Sequence, residues 1–126
     1  MDYIEFFKND RFATEAGITL SEVRPGYAKA KLKINEHHLN AGNVVQGGAL
    51  FTLADLTIAA AANANGRLAF SIQSDIRFLE SATIGETLIA EAQEILLHKT
   101  ICNYKANITT ENGRLIAVCD GICYRK

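Results

Sequence analysis

A single carboxylate, Asp55, interrupts a long apolar stretch of the sequence, and it is the only charged residue between Val44 and Asn63. An unpaired carboxylate is costly to bury, tends to have a raised pKa, and is typical of active sites. We therefore interpret Asp55 as a candidate catalytic group. A structural alternative stays open, in which Asp55 bonds a backbone amide or a loop arginine across an interface.

A second candidate lies at the start of the same stretch, where Gln46 is followed by Gly47 and Gly48. The first amides of a helix have no partner inside the helix, and the helix dipole adds about half a positive charge there. Glycine lets a ligand approach the backbone closely. Such a terminus can hold an oxyanion or a polarised carbonyl group, although a glycine pair before a helix is more often only a turn.

The spacing of these two candidates constrains how they can act together. Asp55 follows Gly47 by eight residues, which corresponds to about 12 Å along a helix axis. One helix cannot aim both groups at the same atom, whereas two antiparallel helices related by a two-fold axis can. If Gly47 and Asp55 serve one site, that site requires a dimer.

The element that carries both groups is a predicted helix over residues 47–62, which ends in the sequence Asn-Ala-Asn-Gly at 63–66. This helix has no polar face, which indicates that it is buried on all sides. The apolar stretch is long enough to span a bilayer, but Asp55 near its middle costs about 2.5–3.5 kcal/mol on insertion scales. We therefore expect a buried helix and no membrane association.

The remaining sequence predicts a short helix over residues 2–8 and strands with turn signals between them. The predicted strands cover residues 17–23, 27–34, 68–79, 86–97, 100–110 and 114–124. An Asn-Gly pair marks a hairpin turn at 111–113. In the strand over 68–79, alternation places one set of side chains on an apolar face, namely Leu68, Phe70, Ile72, Ile76 and Phe78, and the other set on a polar face, namely Ser71, Gln73, Asp75 and Arg77.

These elements predict an α+β fold in which a curved antiparallel sheet wraps around one long central helix. We expect a single domain over residues 1–126. Because one sheet leaves the helix open along one side, a second subunit is expected to cover that side.

Composition excludes several classes of function. With 48% hydrophobic residues in 126, the chain is not disordered, and its formal net charge of −1 argues against a nucleic-acid partner. The sequence opens without the basic and apolar segments of a secretory leader. Three cysteines, Cys102, Cys119 and Cys123, predict reduced buried thiols in a cytoplasmic protein and no metal site.

At these residues the sequence resembles a known family, the hotdog-fold acyl-CoA thioesterases. The resemblance is strongest to the phenylacetic-acid-pathway and 4-hydroxybenzoyl-CoA thioesterase-like group, and it extends over about residues 20–126. The residues that carry it are His38, Leu39, Asn40, Gly42, Gln46, Gly47, Gly48, Phe51, Leu53, Ala54 and Asp55, followed by the runs 74–79 and 85–88.

The resemblance implies hydrolysis of an acyl-CoA thioester by a homodimer, with dimers paired into tetramers and CoA along the subunit interface. By resemblance, Gly47 donates its amide to the thioester carbonyl, and Asp55 from the other subunit is nucleophile or general base. Asn40 orients water or the thioester, and no metal or redox cofactor is implied. The same resemblance assigns Gln46 to the catalytic set, and it assigns five residues to substrate binding: His38, Gly48, Phe51, Arg77 and Phe78.

The chain departs from the family at two positions, since His is common where it has Gln46 and Pro where it has Ser81. Glutamine can hydrogen-bond but cannot carry a proton. A non-catalytic acyl-CoA binding protein is therefore an alternative to the enzyme. A hotdog dehydratase or hydratase is a weaker alternative, because it needs a His–acid pair that the sequence lacks. For His38 we favour a structural hydrogen-bonding role.

Overall fold

The computed structural model describes residues 1–126, and its central feature is one antiparallel sheet of six strands curved around a long helix. The strands are β1 Thr19–Arg24, β2 Tyr27–Lys33, β3 Ala69–Phe78, β4 Thr87–Leu97, β5 Ile101–Thr110 and β6 Leu115–Arg125. Their order across the sheet is β1-β2-β4-β5-β6-β3, so β1 and β3 are the two edges. The predicted α+β architecture is confirmed.

Three helices accompany the sheet: α1 Tyr3–Phe6, α2 Arg11–Glu15 and α3 Gly47–Asn63. The sequence predicts only one helix near the N-terminus, whereas the structure has α1, a 3₁₀ turn at Phe7–Asn9, and then α2. The second helix begins because the Asp10 side chain accepts a hydrogen bond from the Ala13 amide and so caps it. A further 3₁₀ turn, Glu36–His38, precedes α3.

Helix α3 forms the core and contacts all six strands. Its sequence is rich in alanine and leucine, which are strong helix formers, and Asn63 closes it. The Asn63 side chain donates to the Ala59 and Ala69 carbonyls and accepts from the Ala69 amide, which joins the end of α3 to the start of β3.

One stripe of α3 is not covered by the chain. Gly48 and Asp55 are exposed, and Thr52 and Ala59 are half-buried. Their spacing of four, three and four residues places them along one side of the helix. We call these four residues the open stripe. The expected uncovered side of the helix is therefore present, while most of the other residues of α3 are buried.

Strand β3 corrects one prediction. The single apolar face expected over residues 68–79 is wrong, because a β-bulge lies between Ser71 and Gln73. Ser71 pairs with the buried Cys123, Gln73 pairs with Ile122, and Ile72 is the extra residue between them. One extra residue shifts the alternation of side chains, so Ser71 turns toward α3, as Ile76 does further along the strand.

The bulged edge strand leaves apolar side chains uncovered. Phe70, Ile72 and Phe78 are each more than half exposed, at 52%, 59% and 53%. An edge strand also presents unpaired backbone amides and carbonyls, which favour pairing with another strand. This edge borders the open stripe, since Ser71 of β3 contacts Asp55.

Two smaller predictions also have structural outcomes. The hairpin between β5 and β6 forms as expected, but only Gly113 has a positive φ, of 89°, and Asn112 does not. Cys102, Cys119 and Cys123 are free and buried, and burial raises the pKa of each thiol. No helix of the structure has both the length and the hydropathy needed to cross a bilayer.

Candidate active site

The start of α3 presents an unused hydrogen-bond donor. The amides of Ala49 and Leu50 donate to the Gln46 carbonyl, whereas the Gly47 amide has no partner in the chain. The Gly47 amide lies at the positive end of the helix dipole. It faces a concave pocket of about 380 Å³ whose lining includes Asn40, Gly47 and Phe78.

An aromatic ring lies close to position 47, where glycine leaves room for it. A Cβ atom added there would lie 2.9 Å from the Cζ atom of Phe78 and 3.3 Å from two further ring atoms. Any side chain would therefore displace the Phe78 ring. The packing places the Phe78 ring beside Gly47.

Asn40 is fixed in the loop before α3 by its side-chain oxygen. Its Oδ1 atom accepts hydrogen bonds from the Gly42 amide at 2.8 Å and the Val44 amide at 3.3 Å. The loop is tight enough that Asn43 adopts a φ of 63°. Because the oxygen is used within the loop, the amide nitrogen of Asn40 is left to donate into the pocket.

Gln46 serves as the N-terminal cap of α3. Its side-chain Oε1 atom accepts a hydrogen bond from the Gly48 backbone amide. Its backbone amide donates to the His38 carbonyl at 2.8 Å. The side chain thereby satisfies a helix amide that would otherwise be free. The structure leaves the Gly47 amide, and not the Gly48 amide, available to a ligand.

Asp55 lies two turns further along α3, on the open stripe, with Ser71 beside it. The Ser71 hydroxyl donates to Asp55 Oδ1 at 3.3 Å. Although Asp55 is exposed in the single chain, the surrounding protein still desolvates its carboxylate and raises its pKa. The hydrogen bond from Ser71 opposes this effect, and the negative charge of Asp10 adds to it.

His38 is buried, and both of its ring nitrogens are engaged. Nδ1 accepts from the Asn35 amide at 3.0 Å, so Nε2 carries the proton and donates to the Ala16 carbonyl at 2.6 Å. This arrangement supports the structural role expected for His38. It holds the loop before α3 against the end of α2.

On a single chain, the predicted site residues line separate pockets. Asn40, Gly47 and Phe78 share the pocket at the start of α3. Phe51 and Asp55 share another of about 340 Å³. A third, of about 520 Å³, is lined by residues that include His38, Gln46 and Gly48. Arg77 lines none of the three, and in β3 it alternates with Phe78 and so points to the opposite side of the sheet.

Two residues near Asp55 are absent from the sequence prediction. Ser71 is missed because its contact with Asp55 depends on the bulge in β3, which the alternating pattern conceals. Phe12 is missed because α2 is not predicted. Aspartate at an N-cap is a signal for the start of a helix. Asp10, followed three residues later by an alanine, is however too weak a pattern to predict α2.

Comparison with known proteins identifies the family of the chain. The family model described as the thioesterase superfamily matches residues 42–117. The chain belongs to the thioesterase superfamily. The matched range contains Gly47, Asp55, strands β3, β4 and β5, and the first three residues of β6.

Individual relatives of this thioesterase cover nearly the whole chain. It is 38% identical to an Archaeoglobus fulgidus protein that carries the name of an esterase, over 98% of this chain and 79% of that relative. It is 30% identical to acyl-coenzyme A thioesterase PaaI of Escherichia coli over 94% of this chain and 85% of PaaI.

A solved structure shows the same fold. The E. coli PaaI protein from the phenylacetic acid degradation operon superposes with a TM-score of 0.93 at 30% identity, covering 97% of this chain and 88% of that one. The hotdog fold and the thioester hydrolase class predicted for this chain are confirmed.

The raised pKa of Asp55 predicts how the thioesterase's stability depends on pH. A carboxyl whose pKa is raised on folding costs stability as the pH rises from its ordinary value of 3.8 through the raised value. Asp55→Asn removes that cost. We expect the variant to have a higher free energy of unfolding than the parent at pH 7 and an equal one near pH 3, measured by urea denaturation at one protein concentration.

Glu111→Gln, at an exposed position of the turn between β5 and β6, is the matched control and should change stability little at either pH. An Asp55→Asn chain that is less stable than the parent at pH 7 would contradict the prediction and make Asp55 a structural acid.

Proposed function

We propose that this thioesterase hydrolyses acyl-CoA thioesters to the free acid and CoA, at a site built from two copies of the chain. The proposal is supported by the name of the E. coli relative, acyl-coenzyme A thioesterase. The observation that carries it is the Gly47 amide, which is free, lies at a helix N-terminus and faces a pocket with Asn40. Such a donor suits the oxygen of a thioester carbonyl.

Two copies are needed because the free amide and the acid are far apart on one helix. Gly47 and Asp55 are separated by eight residues of α3, about 12 Å along the axis. They also line different pockets. If two α3 helices pack antiparallel through their open stripes, Gly47 of one copy meets Asp55 of the other, and two equivalent sites form.

The surfaces left uncovered by the single chain suit this pairing. The open stripe of α3 consists of small or polar residues, which allow two helices to approach closely. The apolar edge strand β3 borders it, and pairing of two β3 strands would cover Phe70 and Ile72. We propose a homodimer of this form and, from the family resemblance, pairing of two dimers into a tetramer.

The first chemical role is to polarise the carbonyl group. The Gly47 amide donates to the thioester oxygen, and negative charge that develops on this oxygen is stabilised by the helix dipole. The amide nitrogen of Asn40 orients the thioester or the attacking water in the same pocket. Phe78, packed over Gly47, limits the access of bulk water to the carbonyl.

The second role is to supply the nucleophile. Asp55 acts as a general base that takes a proton from water while the water oxygen bonds to the carbonyl carbon. The C–S bond then breaks, and the CoA thiolate takes up a proton and leaves as the thiol. A raised pKa makes Asp55 a stronger base than an ordinary carboxylate, and Ser71 holds its orientation. Direct attack by the Asp55 carboxylate on the acyl carbon is the alternative course.

Other predicted residues have supporting parts in this proposal. Phe51 and Phe78 contact apolar portions of the substrate, and Gly48 allows close approach. CoA lies along the subunit interface, where Arg77 is the proposed partner for its charged groups. Gln46 and His38 position the loop and helix start and make no proton transfer. The reaction needs no cofactor.

A non-catalytic acyl-CoA binding protein is the second candidate, and Gln46 is the observation that favours it. Its side chain is committed to the helix cap, and an amide cannot exchange a proton with the substrate. The absence of a histidine at position 46 argues against a dehydratase or hydratase, which requires a His–acid pair.

Removal of the acid should separate hydrolysis from binding. Asp55→Asn is nearly isosteric and should bind acyl-CoA esters about as tightly as the parent, while hydrolysis falls at least about 100-fold through loss of the general base. Hydrolysis is measured as free thiol released from a panel of aromatic and aliphatic acyl-CoA esters, and binding by calorimetry. Glu111→Gln, in the exposed turn between β5 and β6, is the control. Unchanged hydrolysis in Asp55→Asn would rule out this mechanism.

The same two measurements decide between enzyme and binder. In the enzyme, the parent releases thiol from at least one ester of the panel, and Gln46→His leaves binding similar. A parent that binds esters and hydrolyses none, while Gln46→His hydrolyses them, would establish a binding protein on a thioesterase fold.

Assembly gives an independent check of the shared site. Sedimentation should find no stable 13.8 kDa species at micromolar concentration. Ile72→Lys at the apolar edge should dissociate the assembly and abolish hydrolysis together, because each site needs both chains. The matched variant Ile95→Lys, on an exposed position of β4, should leave both unchanged. A fully active monomer would refute the two-chain site.

A further inference from the structure

An aromatic side chain beside the site has no structural partner. Phe12 is 75% exposed and does not pack against the hydrophobic core, unlike Phe7 of the same N-terminal region. A single exposed aromatic residue needs no explanation by itself. Phe12 differs because it projects from α2 toward the part of α3 that carries Asp55.

The short helix that carries Phe12 is firmly held at three points. Asp10 caps its start, Ala13 is buried with 1% exposure, and the Ala16 carbonyl at its end accepts the hydrogen bond from His38. The last contact joins α2 to the loop that leads into α3. The position of the Phe12 ring is therefore fixed relative to the start of α3.

Phe12 lines two pockets that lie on either side of it along the open stripe. One, of about 520 Å³, also includes Gln46, Gly48 and Thr52. The other, of about 340 Å³, also includes Phe51, Thr52 and Asp55. These volumes are in the range of small-molecule sites.

We propose that Phe12 forms an apolar wall of the acyl-binding pocket, so that the site favours acyl groups with an apolar body of several carbons over acetyl. This inference rests on the proposed acyl-CoA hydrolysis. Because Asp55 must reach the carbonyl carbon or its attacking water, the groups next to Asp55 surround the atoms bonded to that carbon. Two of these groups, Phe12 and Phe51, are aromatic and suit an apolar acyl chain better than the polar arm of CoA.

The test compares acyl groups of different size on one variant. In Phe12→Ala, kcat/KM for hexanoyl-CoA and benzoyl-CoA should fall about 10-fold or more, the effect of losing apolar contact in a pocket. The value for acetyl-CoA should change less than about 3-fold, since acetyl is too short to reach the ring. Phe12→Leu, which keeps an apolar wall, should retain most of the preference.

Phe6→Ala is the matched control, because Phe6 is also an exposed phenylalanine of the N-terminal segment but lines neither pocket. An equal loss for all three esters would overturn the proposal. So would dissociation of the Phe12→Ala assembly in sedimentation, which would show that a second chain covers the ring.

Measurements of binding test the role of Phe12 independently of the proposed hydrolysis. If the parent hydrolyses no ester, the proposed function fails, yet calorimetry still reports whether Phe12→Ala weakens hexanoyl-CoA more than acetyl-CoA. Preferential weakening supports the wall, and equal affinities of parent and variant for hexanoyl-CoA refute it.

Discussion

The distance between Gly47 and Asp55 along α3 is the constraint on which the rest of the proposed site depends. A rigid helix fixes both groups, so no rearrangement within one chain can bring them to the same carbonyl. The sheet reinforces this separation, because all six strands pack against the helix. What stays open is the stripe that includes Asp55 and the adjoining edge strand. In the proposed arrangement, a second chain completes the catalytic geometry.

The start of α3 illustrates how local packing selects which donor is free. Gln46 caps the Gly48 amide, and the Phe78 ring leaves no room for a side chain at Gly47. Together these contacts leave the Gly47 amide unpaired beside an apolar surface. A donor in such surroundings interacts more strongly with developing charge than one in water. Gln46 thus affects the start of the helix through a hydrogen bond from a backbone amide to its side chain.

The sequence was sufficient to predict the fold and to single out the two proposed groups, Gly47 and Asp55, because both inferences depend on regular patterns. Alternation identified the strands, and an apolar helix with one acid identified Asp55. It was insufficient where a local irregularity decides the outcome. The bulge in β3 reverses the alternation and brings Ser71 to Asp55, and no residue type in the sequence marks it. The cap at Asp10, which starts α2, was similarly hidden within a short polar segment.

The bulge in β3 and helix α2 have opposite effects on the charged form of the Asp55 carboxylate. The bulge presents a hydroxyl that stabilises the charged form of Asp55, whereas α2 brings the Asp10 carboxylate, whose charge disfavours it. Burial against α3 and β3 is the largest influence and also disfavours the charged form. The balance leaves a raised pKa together with a fixed orientation, which is the combination that a general base requires. A regular strand would leave Asp55 without the hydroxyl that fixes its orientation, and without α2 the carboxylate would lose the charge of Asp10 that adds to the effect of burial.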